Sequence, residues 1–173
     1  MKHTFRLTAQ LVAVTLVLGL YGSAVFADGT ETSAFDQVLE HYEPARLALA
    51  EDSMEGVAER GRKMGDVLNR LTTDWSIEAA GIQAEMGDEI QQLLPALKES
   101  ATDLAEAESL TDARNAFYEL SKGLVRWRKA ANGDKPVVAY CSMAKRSWLQ
   151  PAGELGNPYY GQSMPRCGEV VDG

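Results

Sequence analysis

The sequence predicts an all-α protein, a mostly antiparallel four-helix bundle followed by an irregular C-terminal arm. Two observations predict this fold. Apolar residues recur at helical spacing in four stripes between Ser33 and Asn132, and short polar stretches separate the stripes. After Gly133 the periodicity ends, and prolines and glycines accumulate. We therefore expect a helical bundle over residues 28–133 and an arm over residues 134–173 that packs on it within the same domain.

The first two helices are predicted from the first two stripes. Ser33 precedes the first stripe and can accept a hydrogen bond from a first-turn amide, whereas Pro44 should kink or restart that helix. The second stripe carries Gly61 and Gly65 on its apolar face. Because glycine weakens a helix, we expect another helix to approach closely there. The stripes consist of Phe35, Val38, Leu39 and Tyr42, and of Met54, Val57, Ala58, Met64, Leu68 and Leu71.

The third and fourth stripes predict two longer helices. The third should run from about Ile77 to Ala107, with a bend or a break at Pro95. The fourth should begin at a cap formed by Ser109 or Thr111 and should end at the "NGD" stretch, after a basic last turn. The stripes consist of Ile82, Met86, Ile90, Leu93, Leu94, Leu97 and Leu104, and of Ala113, Phe117, Leu120, Leu124 and Trp127.

Residues 1–27 have the features of a secretory signal peptide. A basic start precedes an apolar run from about Leu11 to Leu20, and the segment closes on Val25-Phe26-Ala27, where a signal peptidase would cleave. The apolar run is short for a permanent bilayer span. We therefore expect a periplasmic or secreted mature chain without a permanent membrane anchor.

The charge and the motifs exclude two broad classes of function. Removing residues 1–27 takes away two positive charges and no acid, so the formal net charge changes from −8 to −10. An acidic chain without a basic stripe repels nucleic acid, so no nucleic-acid partner is expected. No histidine lies near Ser142, Ser147 or Ser163, and CxxC and Glu-x-x-His motifs are absent. We therefore do not expect an enzyme.

Four sulfur-containing residues of the arm form the candidate site. Cys141 lies two residues before Met143, and Met164 lies three residues before Cys167. Thiolate and thioether are soft donors of the kind that bind Cu(I). Residues two apart in an extended segment point to the same side, so Cys141 and Met143 could present their sulfurs together. The pattern predicts a site for Cu(I) or Ag(I).

A Cys141–Cys167 disulfide is the open alternative, because paired cysteines are common in oxidising compartments. The bond would close a loop of about 26 residues and stabilise the fold by roughly 3–4 kcal/mol. It would exclude a two-thiolate metal site at the same moment. The protein would then be a non-metal interaction module, whose Trp148, Tyr159 and Tyr160, or a groove of the bundle, contact a partner in the cell envelope.

Three motifs of the arm occur in the order "YCSMA", "WLQ" and "NPYYGQSMPRCGEV". Together with "ARNAFYELSKGL" they resemble a family of secreted bacterial helical domains of unassigned function, similar to the C-terminal domain of some copper/silver efflux membrane-fusion (adaptor) proteins. The family has a proline where Ser142 stands here. The resemblance implies heavy-metal handling by the four sulfur residues and an envelope efflux or metal-handling protein as partner. The residues assigned to arm packing or partner contact are Trp148, Asn157, Tyr159 and Tyr160.

Overall fold

The structure, a computed structural model, describes residues 32–172, so the predicted signal peptide, residues 1–27, lies outside the described residues. The described chain forms five α-helices, which are α1 (Ala34–Ala50), α2 (Val57–Thr73), α3 (Ile77–Ala80), α4 (Gly87–Glu106) and α5 (Leu110–Ala130). Three strands follow, which are β1 (Val137–Cys141), β2 (Arg146–Gln150) and β3 (Glu169–Asp172). Short 3-10 turns lie at Ala84–Met86 and Gly161–Ser163.

The all-α prediction is wrong, because residues 32–172 are 60% helical and also contain a three-stranded antiparallel sheet of order β2-β1-β3. All three strands come from the segment predicted to be an irregular arm. Cys141 pairs with Arg146 of β2, and Tyr140 pairs with Glu169 of β3. Apolar alternation could not reveal β3, since all four of its residues are exposed.

The four long helices α1, α2, α4 and α5 confirm the four apolar stripes. Helix α2 contacts both α1 and α4, and helix α5 contacts both α4 and α1. The largest fully buried side chains include Trp127, Trp148, Tyr42, Phe35 and Phe117, so one core continues from the helices into the sheet. Within the described range, no helix combines the length and the hydrophobicity that a membrane span needs.

The starts of α1 and α5 agree with the predicted caps. Ser33 Oγ accepts the amide of Asp36 at 3.2 Å, and Ser109 Oγ accepts the amide of Asp112 at 3.1 Å. The expected break at Pro44 does not occur, because α1 continues through it.

The predicted third helix is interrupted near Gly81 and not at Pro95, which lies inside α4. Gly81 adopts a left-handed conformation with φ of 70°. Its carbonyl accepts the amide of Asn132 at 2.9 Å, and the Gln83 amide donates to the Ala130 carbonyl at 2.9 Å. The helix ends there because these groups bond to the end of α5 and not to their own helix.

The two glycines of α2 differ in their surroundings. A Cβ atom at Gly61 would lie 2.7 Å from the Ala105 nitrogen and 2.9 Å from the Ala101 oxygen, both in α4. A Cβ atom at Gly65 would meet nothing within 4 Å. The predicted close approach of another helix is therefore confirmed at Gly61 and absent at Gly65.

This difference predicts stability effects of opposite sign. The Gly61→Ala substitution should lower the free energy of unfolding by about 1–3 kcal/mol, because the α4 backbone must move. The Gly65→Ala substitution should raise it by about 0.5–1 kcal/mol, because alanine favours the helix and meets no obstacle. Urea unfolding followed by circular dichroism measures both changes. Equal effects of the two substitutions would contradict the helix contact.

Candidate functional site

Trp148 packs the arm against the helical bundle. It lies on β2, which packs on α5, and its side chain is fully buried. The Tyr159 ring meets it edge-on, with centroids 5.9 Å apart and planes at 79°. Gly168 passes over the indole with φ of 151°, and a Cβ atom there would lie 2.8 Å from Trp148 Cη2. Any other residue at position 168 would be strained at this φ and would collide with the indole. The position of Trp148 therefore determines where the segment that carries Cys167 can lie.

Asn157 joins three backbone groups of the arm. Its Nδ2 donates to the Cys167 carbonyl at 2.8 Å, and its Oδ1 accepts the amides of Tyr159 and Tyr160 at 2.8 and 3.2 Å. Asn157 is fully buried. The structure thus places three of the candidate residues in the packed interior: Trp148, Asn157 and Tyr159. Because Trp148 and Tyr159 are buried, their side chains do not reach a partner in this conformation, whereas Tyr160 is half-buried.

A buried group of hydroxyls links the sheet to α1 and α5. Tyr42 Oη and Ser121 Oγ are 2.7 Å apart, and Tyr42 Oη accepts the Leu149 amide at 3.2 Å. Tyr159 Oη donates to the Ser147 carbonyl at 2.6 Å. Burial raises the pKa of Tyr42 and of Tyr159, so both phenols stay neutral near pH 7. These groups serve to align the arm on the helices.

Arginines of the helices bind backbone carbonyls of the arm. Arg46 Nη1 donates to the Gly156 carbonyl at 2.6 Å, and Arg114 Nε donates to the Pro158 carbonyl at 2.8 Å. Arg128 binds the start of the sheet in the same way. These arginines were not predicted as functional residues from the sequence. The sequence does indicate Arg46, because this arginine lies four residues after Tyr42 and therefore on the apolar face of α1.

Arg114 also forms an ion pair with Asp52, with Nη2 and Oδ1 2.5 Å apart. The Gln162 amide donates to the other carboxylate oxygen at 3.1 Å. The hydrogen bond from Arg114, followed by that from Gln162, holds the pKa of Asp52 below its ordinary value of 3.8.

This lowered pKa predicts a pH dependence. Since the folded pKa lies below the unfolded one, the carboxylate stabilises the fold above the unfolded value and loses its effect as pH falls through the folded value. The stability difference between the natural chain and an Asp52→Asn variant should therefore be constant above about pH 5 and shrink on further acidification. Urea unfolding at several pH values measures it, with exposed Asp66→Asn as control for the lost charge. A difference that does not change with pH would contradict the ion pair.

Cys141 and Cys167 meet at the edge of the arm. Cys141 ends β1 and is fully buried, whereas Cys167 follows the second 3-10 turn and is half-buried. Their Sγ atoms are 2.7 Å apart although 26 positions separate them in sequence. No bond joins the two sulfurs in the structure, and a disulfide bond of about 2.05 Å needs a displacement of less than about 1 Å. The fold thus brings together the two sulfurs that both the metal site and the disulfide require.

The methionines lie on the same two backbone segments as the cysteines. Met143 lies in the turn between β1 and β2, and its side chain is 65% exposed. The expectation that Cys141 and Met143 share one side of an extended segment does not hold, because β1 ends at Cys141. Met164 is half-buried, and its carbonyl accepts the Cys167 amide at 3.2 Å.

The two thiols differ in acidity. Burial raises the pKa of Cys141, but hydrogen bonds from the Cys167 thiol and from the Ala144 amide, 3.4 Å from Sγ, outweigh burial and lower it. The hydrogen bond with the Cys141 thiol, together with burial, raises the pKa of Cys167.

A shared soft ion needs a wider separation of the sulfurs. With metal–sulfur bonds of about 2.3 Å, the sulfurs are about 3.8 Å apart around a tetrahedral ion and about 4.6 Å apart around a linear one. From 2.7 Å, the sulfurs would have to separate by about 1 Å more for a tetrahedral ion and about 2 Å more for a linear one, and the Cys167 segment lies outside regular structure. Within residues 32–172 no three His, Cys, Asp or Glu side chains are grouped to hold a metal. Around a linear ion the two thiols suffice, whereas a tetrahedral site would need methionine sulfur as a further donor.

An open groove of about 580 Å³ lies beside the arm, between α4, α5 and Arg146. Its lining is mainly acidic, so it is not the apolar surface that a buried protein contact usually needs. The acidic residues are Asp103, Glu106, Glu108, Asp112 and Glu119.

Comparison of the chain with protein-family models, with curated proteins and with solved structures finds no match. The resemblance of the arm motifs to secreted helical domains therefore stays a prediction.

Proposed function

We propose that this protein is a periplasmic or secreted soft-metal binding protein that holds Cu(I) or Ag(I) through Cys141 and Cys167 in their reduced form. The observation that carries the proposal is the approach of these two thiols to 2.7 Å across 26 positions of the sequence. Thiolates are the donors that soft ions prefer. Met143, exposed in the adjoining turn, has a thioether that packing does not occupy.

The electrostatics of the pair support metal uptake. Cysteine binds metal as the thiolate, so a lowered pKa at Cys141 eases the loss of its proton. The acidic chain also favours the approach of cations. Together with the resemblance of the arm, these features point to a role in heavy-metal efflux or tolerance, with an envelope efflux or metal-handling protein as partner. A catalytic role is not part of the proposal.

Anaerobic titration of the reduced protein with Cu(I), in competition with a chromophoric chelator, tests the proposal. We expect one tightly bound ion per chain and its loss in a Cys141→Ser, Cys167→Ser variant. The Met143→Leu variant should bind about tenfold more weakly, a change of about 1.4 kcal/mol. The Met86→Leu variant, altered at a half-buried methionine far along the chain from the arm, is the matched control. Equal weak binding by the natural chain and the double variant would refute the proposal.

The short distance between the sulfurs favours a second candidate function for the same fold. At 2.7 Å the pair is closer to a disulfide than to the separation around a metal ion. A disulfide would make the arm a permanent part of a non-metal interaction module in the envelope. Its contact surface would have to lie outside the buried Trp148 and Tyr159.

Mass spectrometry of the protein isolated without reductant discriminates between the two functions. A mass lower by two hydrogen atoms in essentially all molecules, with or without added copper, supports the interaction module. Free thiols that become protected from alkylation when Cu(I) is added support metal binding.

A further inference from the structure

The two sulfurs of the pair differ in their access to solvent. Cys141 ends the central strand of the sheet and has no exposed surface. Cys167 lies on the outer side of the pair, in the segment between the 3-10 turn and β3, and keeps part of its surface in solvent. Any reagent that approaches from solution therefore reaches Cys167 first.

We propose that Cys167 is the entry point for thiol–disulfide exchange, and that an external thiol reduces the Cys141–Cys167 disulfide by attack on the sulfur of Cys167. The co-reactant is a thiol, either a small molecule or a cysteine of a protein. Cys141 has no exposed surface, so an incoming sulfur cannot reach it while the arm keeps this conformation.

The exchange proceeds in two balanced steps. The external thiolate forms a bond with Cys167 Sγ, the Cys141–Cys167 bond breaks, and its electron pair leaves on Cys141 Sγ. A second external thiolate then attacks the outer sulfur of the mixed disulfide and releases Cys167 as a thiolate. Two external thiols are oxidised to one disulfide, and the protein disulfide is reduced to two thiols.

The surroundings of Cys141 suit it as the leaving sulfur. The Ala144 amide nitrogen lies 3.4 Å from Cys141 Sγ and can donate to the thiolate as it forms. The Met143 amide lies near both sulfurs, whereas the Ala144 amide donates to Cys141, and Asn157 Nδ2 binds the Cys167 carbonyl at 2.8 Å. Which sulfur is attacked and which one leaves are among the factors that set the rate of such exchange.

The inference rests on the proposed function in one respect, since exchange would supply the reduced pair that metal binding requires. The two proposals can fail separately. A protein reduced chemically can bind Cu(I) whether or not exchange is directional, and directional exchange can occur in a protein that binds no metal.

The test uses the full mature chain, oxidised to the disulfide and treated briefly with N-acetylcysteine. The reaction is quenched with acid, free thiols are blocked with N-ethylmaleimide, and the two cysteine peptides are analysed by mass spectrometry. We expect the N-acetylcysteine adduct on the Cys167 peptide and the maleimide on the Cys141 peptide, in an excess of about tenfold over the reverse, or 1.36 kcal/mol in activation free energy. The reverse distribution, an equal one or no exchange at all would overturn the proposal.

Two single variants give an independent measurement. With an aromatic disulfide reagent, the Cys141→Ser variant should be labelled faster at Cys167 than the Cys167→Ser variant is at Cys141. In denaturant the two rates should converge, because the unfolded chain exposes both thiols. Faster labelling of Cys141 in the folded variants would overturn the proposal.

Discussion

Replacing Trp148 with alanine should lower the free energy of unfolding by about 3–5 kcal/mol, the range for a fully buried aromatic side chain. The cavity would separate the Tyr159 ring from its edge-on partner and would remove the surface on which Gly168 rests. Gln150 Oε1 would also lose the indole N–H that donates to it at 2.9 Å. Urea unfolding followed by circular dichroism at 222 nm measures the loss without depending on tryptophan fluorescence.

Trp75→Ala is the matched control for this substitution. Trp75 lies between α2 and α3 and is half-buried, so the same truncation leaves a smaller cavity and should cost less. A loss below about 1 kcal/mol for Trp148→Ala, or equal losses at both positions, would show that the arm does not depend on this contact.

Replacing Asn157 with alanine should lower the free energy of unfolding by about 2–4 kcal/mol, because it removes the partner of one buried and two part-buried backbone groups, and a buried group left unpaired costs about 1–3 kcal/mol. The affected groups are the amides of Tyr159 and Tyr160 and the carbonyl of Cys167. The same unfolding measurement applies. Because the Cys167 carbonyl is released, the variant should also form the disulfide with Cys141 more slowly when an oxidant is added.

Asn132→Ala is the control for Asn157→Ala, since Asn132 is exposed and its side chain makes no hydrogen bond within the described residues. It should leave the free energy of unfolding within about 0.5 kcal/mol of the natural chain. A loss at Asn157 no larger than at Asn132 would contradict the proposed role of the buried amide.

Both substitutions concern the support of the thiol pair and not the sulfurs themselves. Trp148 and Asn157 act on the same short segment, one through Gly168 and the other through the Cys167 carbonyl. The position of Cys167 relative to Cys141 is therefore a property of the packed arm. A metal site or a disulfide at this place inherits its geometry from that packing.

Several parts of the fold follow directly from local patterns. The apolar stripes predicted α1, α2, α4 and α5, and Ser33 and Ser109 were recognisable as caps because each is followed by a helical stripe. The break at Gly81 was not predicted, since its cause is pairing with the end of α5, far away in sequence. The buried hydroxyl of Ser121 was missed for a similar reason: its partner, Tyr42, is 79 positions away.

The four long helices and the set of sulfur donors could be read from the residues alone, because helical periodicity is local and a side chain's donor chemistry does not depend on the fold. Tertiary packing determined the sheet and the geometry of the thiol pair. It paired β1 with β2 and β3, brought Cys141 and Cys167 to 2.7 Å across 26 positions, and buried one of these sulfurs while the other kept contact with solvent. Strand pairing and sulfur contact depend on groups distant in sequence, whose approach is determined only when the core around Trp148 closes.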